Sequence, residues 1–141
     1  KVTPSREAEG DMTLGWPLLV QIVELDIGQS IAVRDRDVIA VEAVEGTDAL
    51  IDRAGALCRA KGWTPLKTAK RAHDMRSDVP TVGTQTIERL AERGGRCLAL
   101  GAGRVIMVDR PAVLAAADRL GIAVVGVPEV AASDRGTGAP S

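Results

Sequence analysis

The stretch Ser30–Gly62, SIAVRDRDVIAVEAVEGTDALIDRAGALCRAKG, decides the fold. SIAVRD and VIAVEAV are runs rich in β-branched residues joined at Arg36-Asp37, which predicts a hairpin over Ser30–Val44. Gly46 turns the chain, and Thr47 is placed to cap a helix that carries Asp48 in its first turn. Leu50, Ile51, Ala54, Leu57 and Cys58 recur at helical spacing on one face, and Gly62 closes the segment. Pro65–Ala69 then reads as a strand, so the unit is hairpin, helix, strand.

The same order returns at Cys97–Val127. CLAL and RVIMV predict a second hairpin around Gly101-Ala102-Gly103. Asp109 caps a helix with Pro111 near its start, a stripe of Val113, Leu114, Ala117 and Leu120, and Gly121 at its end. IAVVGV is a last apolar strand, expected to be buried on both faces. Two such units predict an α/β fold, with a mixed sheet built from two hairpin–helix–strand halves and flanking helices. Between them, a helix from Thr84 or Gln85 turns Ile87, Leu90 and Ala91 inward and stops at Gly94-Gly95. Ahead of them, KVTPSREAEG (1–10) reads as a linker. A short helix follows it, with Pro17 in its first turn, Leu18, Leu19, Ile22 and Val23 on its buried side, and Gly28 beyond its end. The expected organisation is a linker over 1–10, one folded domain over 11–127 and a disordered Ala/Ser/Gly/Pro tail over 128–141.

Composition narrows the function classes. The chain has 141 residues, enough for one domain, and is 45% hydrophobic with two Trp and no Phe or Tyr. Its core must therefore be built from Ala, Val, Leu and Ile. A net charge of −1 argues against a protein that wraps duplex nucleic acid, and the missing aromatics argue against single-strand stacking platforms. The apolar runs are too short to span a bilayer. Cys58 and Cys97 lie far apart among apolar neighbours, which reads as two buried thiols in a reducing cytosol. The chain opens on Lys1 in a polar segment, as expected of a piece cut from a longer protein.

Chemistry concentrates in Lys70–Gly83, KRAHDMRSDVPTVG. Pro80 pushes Val79 out of the helical region, and in an extended chain Asp74, Arg76 and Asp78 share one face. Two converging carboxylates suit a hard divalent cation, or one of them can hold a water or take its proton. The bland alternative is that both simply pair with Arg76 and its basic neighbours on a solvated loop. Arg76 can bind two phosphate oxygens at once or close an internal ion pair. Lys67 and Lys70 are three apart, so a regular strand sends them to opposite faces. Glu42, Glu45, Thr47 and Asp48 gather where a strand meets a helix N-terminus, a place to hold a phosphate or simply a well-capped helix. Gln29 donates to a phosphate or ties down the hairpin. His73 is the lone histidine.

These strings resemble one family, the UDP-2,3-diacylglucosamine pyrophosphatases of lipid A synthesis that carry a formerly uncharacterised C-terminal domain. The resemblance rests on DIGQS (26–30), VIAVEAVEGTDALIDRAG (38–55), LKTAKRAHDMRSDVPTVG (66–83) followed by TIERLAERG, and GIAVVGV near the end. It covers roughly 26–127. The Gly101-Ala102-Gly103 string is a turn and not a dinucleotide loop.

The resemblance implies a metal-assisted hydrolase, with Mg²⁺ as the usual cofactor. Its reaction cleaves the diphosphate of UDP-2,3-diacylglucosamine to 2,3-diacylglucosamine 1-phosphate and UMP. It makes Asp74 and Asp78 the catalytic and metal-binding candidates. Arg76, Lys67, Lys70, Glu45, Thr47, Asp48, Gln29 and Thr81 become the substrate-binding ones. It also implies a partner N-terminal domain preceding this C-terminal one, with substrate held between the two. The parent protein is then expected to be cytoplasmic and to meet the inner-membrane surface to collect an acylated UDP-sugar. The amount of Val and Ala surface that so small a domain must cover makes a homodimer a further expected partner state. The sequence departs from the family where Arg71, Ala72 and His73 stand in place of Pro-Gly-Gln. That difference keeps open a hydrolase of another nucleotide-sugar diphosphate, and a non-catalytic ligand-binding or regulatory module is the third reading.

Overall fold

The computed structural model describes residues 2–43, 45–58, 62–70 and 80–128. Strands β1 (Ser30–Arg34) and β2 (Asp37–Val41) form the expected first hairpin, with Ile31 paired to Val41 and Ala32 to Ala40. Asp35 and Arg36 both have positive φ, 51° and 63°, the backbone that tight right-twisted hairpins require. The turn is thus Asp35-Arg36, one residue before the expected link, because Asp37 already pairs with Arg34.

Helix α1 (Arg6–Glu24) is the largest departure from expectation. It starts inside the stretch read as a linker, capped by Ser5, whose hydroxyl accepts from Ala8 N at 3.1 Å. Pro17 sits in its interior and not in its first turn. Thr13 and Pro17 are both exposed, so the carbonyl that the ring leaves without an N–H can turn to water. Its buried face runs Ala8, Asp11, Gly15, Leu19 and Val23, while Leu18, expected to be buried, is 40% exposed. A Cβ on Gly15 would lie 2.9 Å from Val33 Cγ2 and 3.0 Å from Leu66 Cδ2, so the missing side chain lets the helix settle on the sheet.

Helix α2 (Thr47–Leu57) buries Leu50, Ile51 and Ala54. Strand β3 (Thr64–Lys67) follows, then β4 (Thr81–Val82) and helix α3 (Thr84–Glu92). Strand β5 (Cys97–Gly101), strand β6 (Ile106–Met107), helix α4 (Arg110–Leu120) and strand β7 (Ala123–Val127) complete the order. Asp109 caps α4 and Gly121, at φ 75°, ends it, as its sequence signals predict.

The five-stranded sheet has the order β2-β1-β3-β5-β7. Strands β3, β5 and β7 are parallel, and β1 runs antiparallel to both neighbours. Helix α1 covers one face over Ile31, Val33, Leu66 and Ala99. Helices α2, α3 and α4 cover the other over Ala32, Leu98, Leu100 and Trp63. Trp63 is fully buried and donates its indole N–H to Arg93 O at 3.0 Å, tying the start of β3 to the end of α3.

The expected α/β class, mixed sheet and flanking helices are all present. The second half is wired differently from the first. Strand β5 has a parallel neighbour on each edge, so no edge remains for β6, which pairs instead with β4 in a separate two-stranded parallel sheet. Strand β7 lies at the sheet edge, with only Ala123 fully buried, and not at the two-sided interior position expected of IAVVGV. The expected tail from Pro128 onward falls outside the described residues after Pro128 itself.

Candidate functional site

Sheet topology gathers one polar cluster. Strand β1 runs against β3, so the first residue of one faces the last residue of the other, and Ser30 pairs with Lys67. Strand β2 ends beside them, where Glu42 N donates to Ser30 O at 2.9 Å. Helix α2 then starts above the same edge with Thr47. This edge is the C-terminal end of β3, β5 and β7, where open α/β sheets hold their ligands.

Within the cluster, the Lys67 ammonium donates to Thr47 Oγ1 at 2.5 Å, and Thr47 Oγ1 donates to Glu42 Oε1 at 3.2 Å. Ser30 Oγ donates to the same Glu42 oxygen and lies 3.3 Å from Thr47 Oγ1. Ser30 is fully buried, and Glu42 and Lys67 are each 7% exposed. Burial pushes the Lys67 ammonium below the usual lysine range, against the opposing pull of Glu42 and Asp48. Thr47 is therefore not the cap expected of it. Gly46, at φ 92°, takes the cap position, and the Thr47 hydroxyl serves as a bridge between ammonium and carboxylate. Gly28 packs against the main chain at Glu42, since a Cβ there would lie 1.8 Å from the Glu42 carbonyl oxygen.

The remaining candidates spread along and beyond this edge. Lys70 ion-pairs with Asp26 at 2.7 Å. Glu45 accepts from Ala43 N at 2.6 Å and pairs with Arg53 at 3.2 Å. The Ala43 N–H holds its carboxyl below the usual range, with help from Arg53. Asp48 is exposed and lies 3.8 Å from Arg89. The Gln29 backbone carbonyl accepts from Thr68 N at 3.0 Å, so its main chain ties the start of β1 to the end of β3. Thr81 is exposed on β4. His73, Asp74, Arg76 and Asp78 lie outside the described residues.

The ends of that charged stretch are visible. Arg104 donates to Ala69 O at 2.9 Å, and Pro80 O accepts from Ile106 N at 3.0 Å. Gly101 abuts Thr68, whose hydroxyl would lie 2.1 Å from a Cβ on the glycine. Sequence reading did not single out Ser30, Thr68 or Arg104. The available signal was polarity at buried, same-face strand positions: Ser30 beside Ala32, and Lys67 beside Pro65.

Chemically, the edge offers a buried cation with donor capacity beyond its bond to Thr47 among the described residues, beside the N-terminus of an 11-residue helix. That suits a phosphoryl oxygen. A metal is a different matter. Among the described residues no group of three or more His, Cys, Asp or Glu side chains is placed to hold one. Glu42 is committed to two hydroxyls, and Glu45 and Asp48 face arginines.

Known proteins are similar to this chain. The family model described as the LpxI C-terminal domain matches residues 1–125. The UDP-2,3-diacylglucosamine pyrophosphatase LpxI of Caulobacter vibrioides is 41% identical over 134 residues, a match covering 90% of this chain and 48% of that relative. The chain thus spans about half the length of the curated relative it matches. The family match runs from ahead of α1 into β7, through every element that builds the strand-end edge, and the chain belongs to the LpxI C-terminal domain family.

Proposed function

We propose that this chain is the C-terminal half of an enzyme that hydrolyses the diphosphate of UDP-2,3-diacylglucosamine to 2,3-diacylglucosamine 1-phosphate and UMP. In that reaction one water is consumed and one P–O–P link is broken, with the water's hydroxyl going to one phosphorus and its proton to the other fragment. The observation that carries the reading is the Lys67 ammonium, buried at the C-terminal edge of the parallel strands and aimed by Thr47 beside a helix N-terminus. A preorganised cation there neutralises charge on a phosphoryl oxygen, the main demand of phosphoanhydride cleavage. Lys70 and Arg76 are placed next in sequence to share that charge.

Asp74 and Asp78 are the proposed holders of Mg²⁺. When bound, the ion polarises the phosphoanhydride and lowers the pKa of a bound water. The other half of the parent protein closes over the substrate. Among the described residues no helix is long and apolar enough to cross a membrane. The acylated substrate of the proposed reaction is collected by peripheral contact of the parent protein with a membrane surface.

The test is UMP release from UDP-2,3-diacylglucosamine by the full-length protein, with Mg²⁺ and with excess EDTA. The expected result is turnover that EDTA abolishes and added Mg²⁺ restores. Binding of the substrate without UMP release under either condition would leave a ligand-binding module. The Arg71-Ala72-His73 departure from Pro-Gly-Gln motivates a second assay, a panel of UDP-sugars with and without acyl chains. Faster turnover of a non-acylated member would reassign the substrate.

A further inference from the structure

We infer that Glu42 is a positioning residue for the proposed reaction, acting through Thr47 to hold the Lys67 ammonium where the diphosphate arrives. The inference rests on the reading that Lys67 meets the substrate.

Glu42 lies just past the last residue of β2, yet its backbone is still fastened to the sheet by the bond from its N–H to Ser30 O. The Gly28 main chain pressed against its carbonyl prevents that position from relaxing. The residue is 7% exposed, and one carboxylate oxygen takes both the Ser30 and the Thr47 hydroxyl. Each hydroxyl donates its single proton to that oxygen. Thr47 Oγ1 is thereby left with its lone pairs turned to the ammonium. The order of donation therefore runs Lys67 to Thr47 to Glu42. A carboxylate at the end fixes that direction, because an ionised carboxylate only accepts. Glu42 makes no direct ion pair with Lys67 within 4.0 Å among the described residues; the bridge is the hydroxyl. An amide at position 42 breaks the rule of direction, since its N–H can donate to Thr47 Oγ1 and so compete with the ammonium for the lone pairs of that hydroxyl.

The experiment is a double-mutant cycle in the full-length protein, reading UMP release from UDP-2,3-diacylglucosamine. Glu42→Gln is expected to lower kcat about tenfold, and Lys67→Met more, with folding of each checked by thermal melting. In the Lys67→Met background, Glu42→Gln should cost less than about twofold, because a residue that acts through another has no work left once that other is gone. A purely structural carboxylate would give losses that multiply, and that outcome overturns the inference. So does full activity of Glu42→Gln beside an impaired Lys67→Met. Wild-type kinetics in Lys67→Met would instead sink the functional reading, and this inference with it.

A second readout does not depend on activity. On this chain, reductive methylation with ¹³C-formaldehyde labels Lys67, and its NMR titration should move to lower pH in Glu42→Gln, since a negative charge has been removed nearby. An unmoved titration overturns the inference. Should Glu42→Gln not fold, Ser30→Ala removes one of the two hydroxyls that hold the carboxylate and carries the same cycle. It should lose about threefold in kcat, an effect expected to vanish in the Lys67→Met background.

Discussion

Ser30 and Lys67 stand opposite each other on the β1–β3 ladder, on the face that α2 covers, and neither has more than 7% of its surface in water. This pairing puts a lysine where a strand of the same pattern elsewhere in the sheet carries Leu100. A buried ammonium must be compensated, and here the compensation is relayed by Thr47 to Glu42. Lys67→Met in this chain should therefore destabilise by roughly 1–3 kcal/mol in urea unfolding, because it leaves Thr47 Oγ1 without its donor and the buried Glu42 carboxylate without its compensating charge. Adding Glu42→Gln should recover part of that loss. A double variant less stable than Lys67→Met alone would show that the two groups are not coupled.

Two glycines separate close approach from mere flexibility. Gly28 meets a backbone wall, the Glu42 carbonyl, which cannot rotate away as a side chain can. Gly126 on the edge strand β7 has open space around its absent Cβ. Gly28→Ala should lower stability by more than about 2 kcal/mol, whereas Gly126→Ala should lie within about 0.5 kcal/mol of the parent chain. Equal midpoints in urea for the two variants would contradict the packing described at position 28.

The elements that sequence patterning revealed are those in which apolar stripes and their punctuation agree. Helices α3 and α4 are bounded by Gly83, Gly94, Asp109 and Gly121, and the Asp35-Arg36 turn needed only a one-residue shift. Helix α1 was half legible because its sheet-facing stripe includes Ala8, Asp11 and Gly15, small or polar residues that allow close approach without raising local hydropathy. The second hairpin failed for a non-local reason. CLAL and RVIMV flank a good turn, but both edges of β5 are taken by β3 and β7, strands distant in sequence.

The candidate site divides in the same way. Lys67 and Thr47 were legible as chemistry-bearing types near a strand–helix junction. Ser30 was not, since a serine opening an apolar strand looks like solvent-facing punctuation until the ladder register buries it. Thr47 was legible as a cap and serves as a bridge, because Gly46 with its positive φ already occupies the cap position.

The two thiols should behave differently. Cys97 is buried under α1, and that burial pushes its thiol up to about 12 from an ordinary 9.0. Cys58 is half-buried at the end of α2, and neither forms a disulfide. Ellman's reagent should titrate Cys58 in the native chain and both thiols in denaturant. The sign of the stability effect follows from linkage: unfolded Cys97 ionises near 9.0, folded Cys97 only near 12. Its contribution is complete below pH 9 and declines as pH rises from 9 toward 12. Lys67, held below its ordinary 10.5, works in the opposite direction, adding stability as pH climbs toward that value. Cys97→Ala should flatten the alkaline loss of stability, and an unchanged slope above pH 9 would remove Cys97 as its source.

The decisive prediction concerns the two carboxylates of the charged stretch. Its flanks are fastened at both ends, by Arg104 on Ala69 and Lys70 on Asp26 before it, and by Ile106 on Pro80 after it. Lys67 sits three residues ahead of Lys70, at the strand-end edge. Asp74 and Asp78 are the acidic groups of the sequence between those flanks. Asp74→Ala and Asp78→Ala in the full-length protein should each lower UMP release by at least about a hundredfold while leaving the thermal midpoint within a few degrees. The proposed role as metal ligands predicts more than loss of rate: the Mg²⁺ concentration for half-maximal activity should rise in whichever variant retains measurable turnover. If both variants turn over UDP-2,3-diacylglucosamine at the parent rate, the diphosphate is cleaved by other groups, and Lys67 would then be the anchor of a binding site and not of a catalytic one.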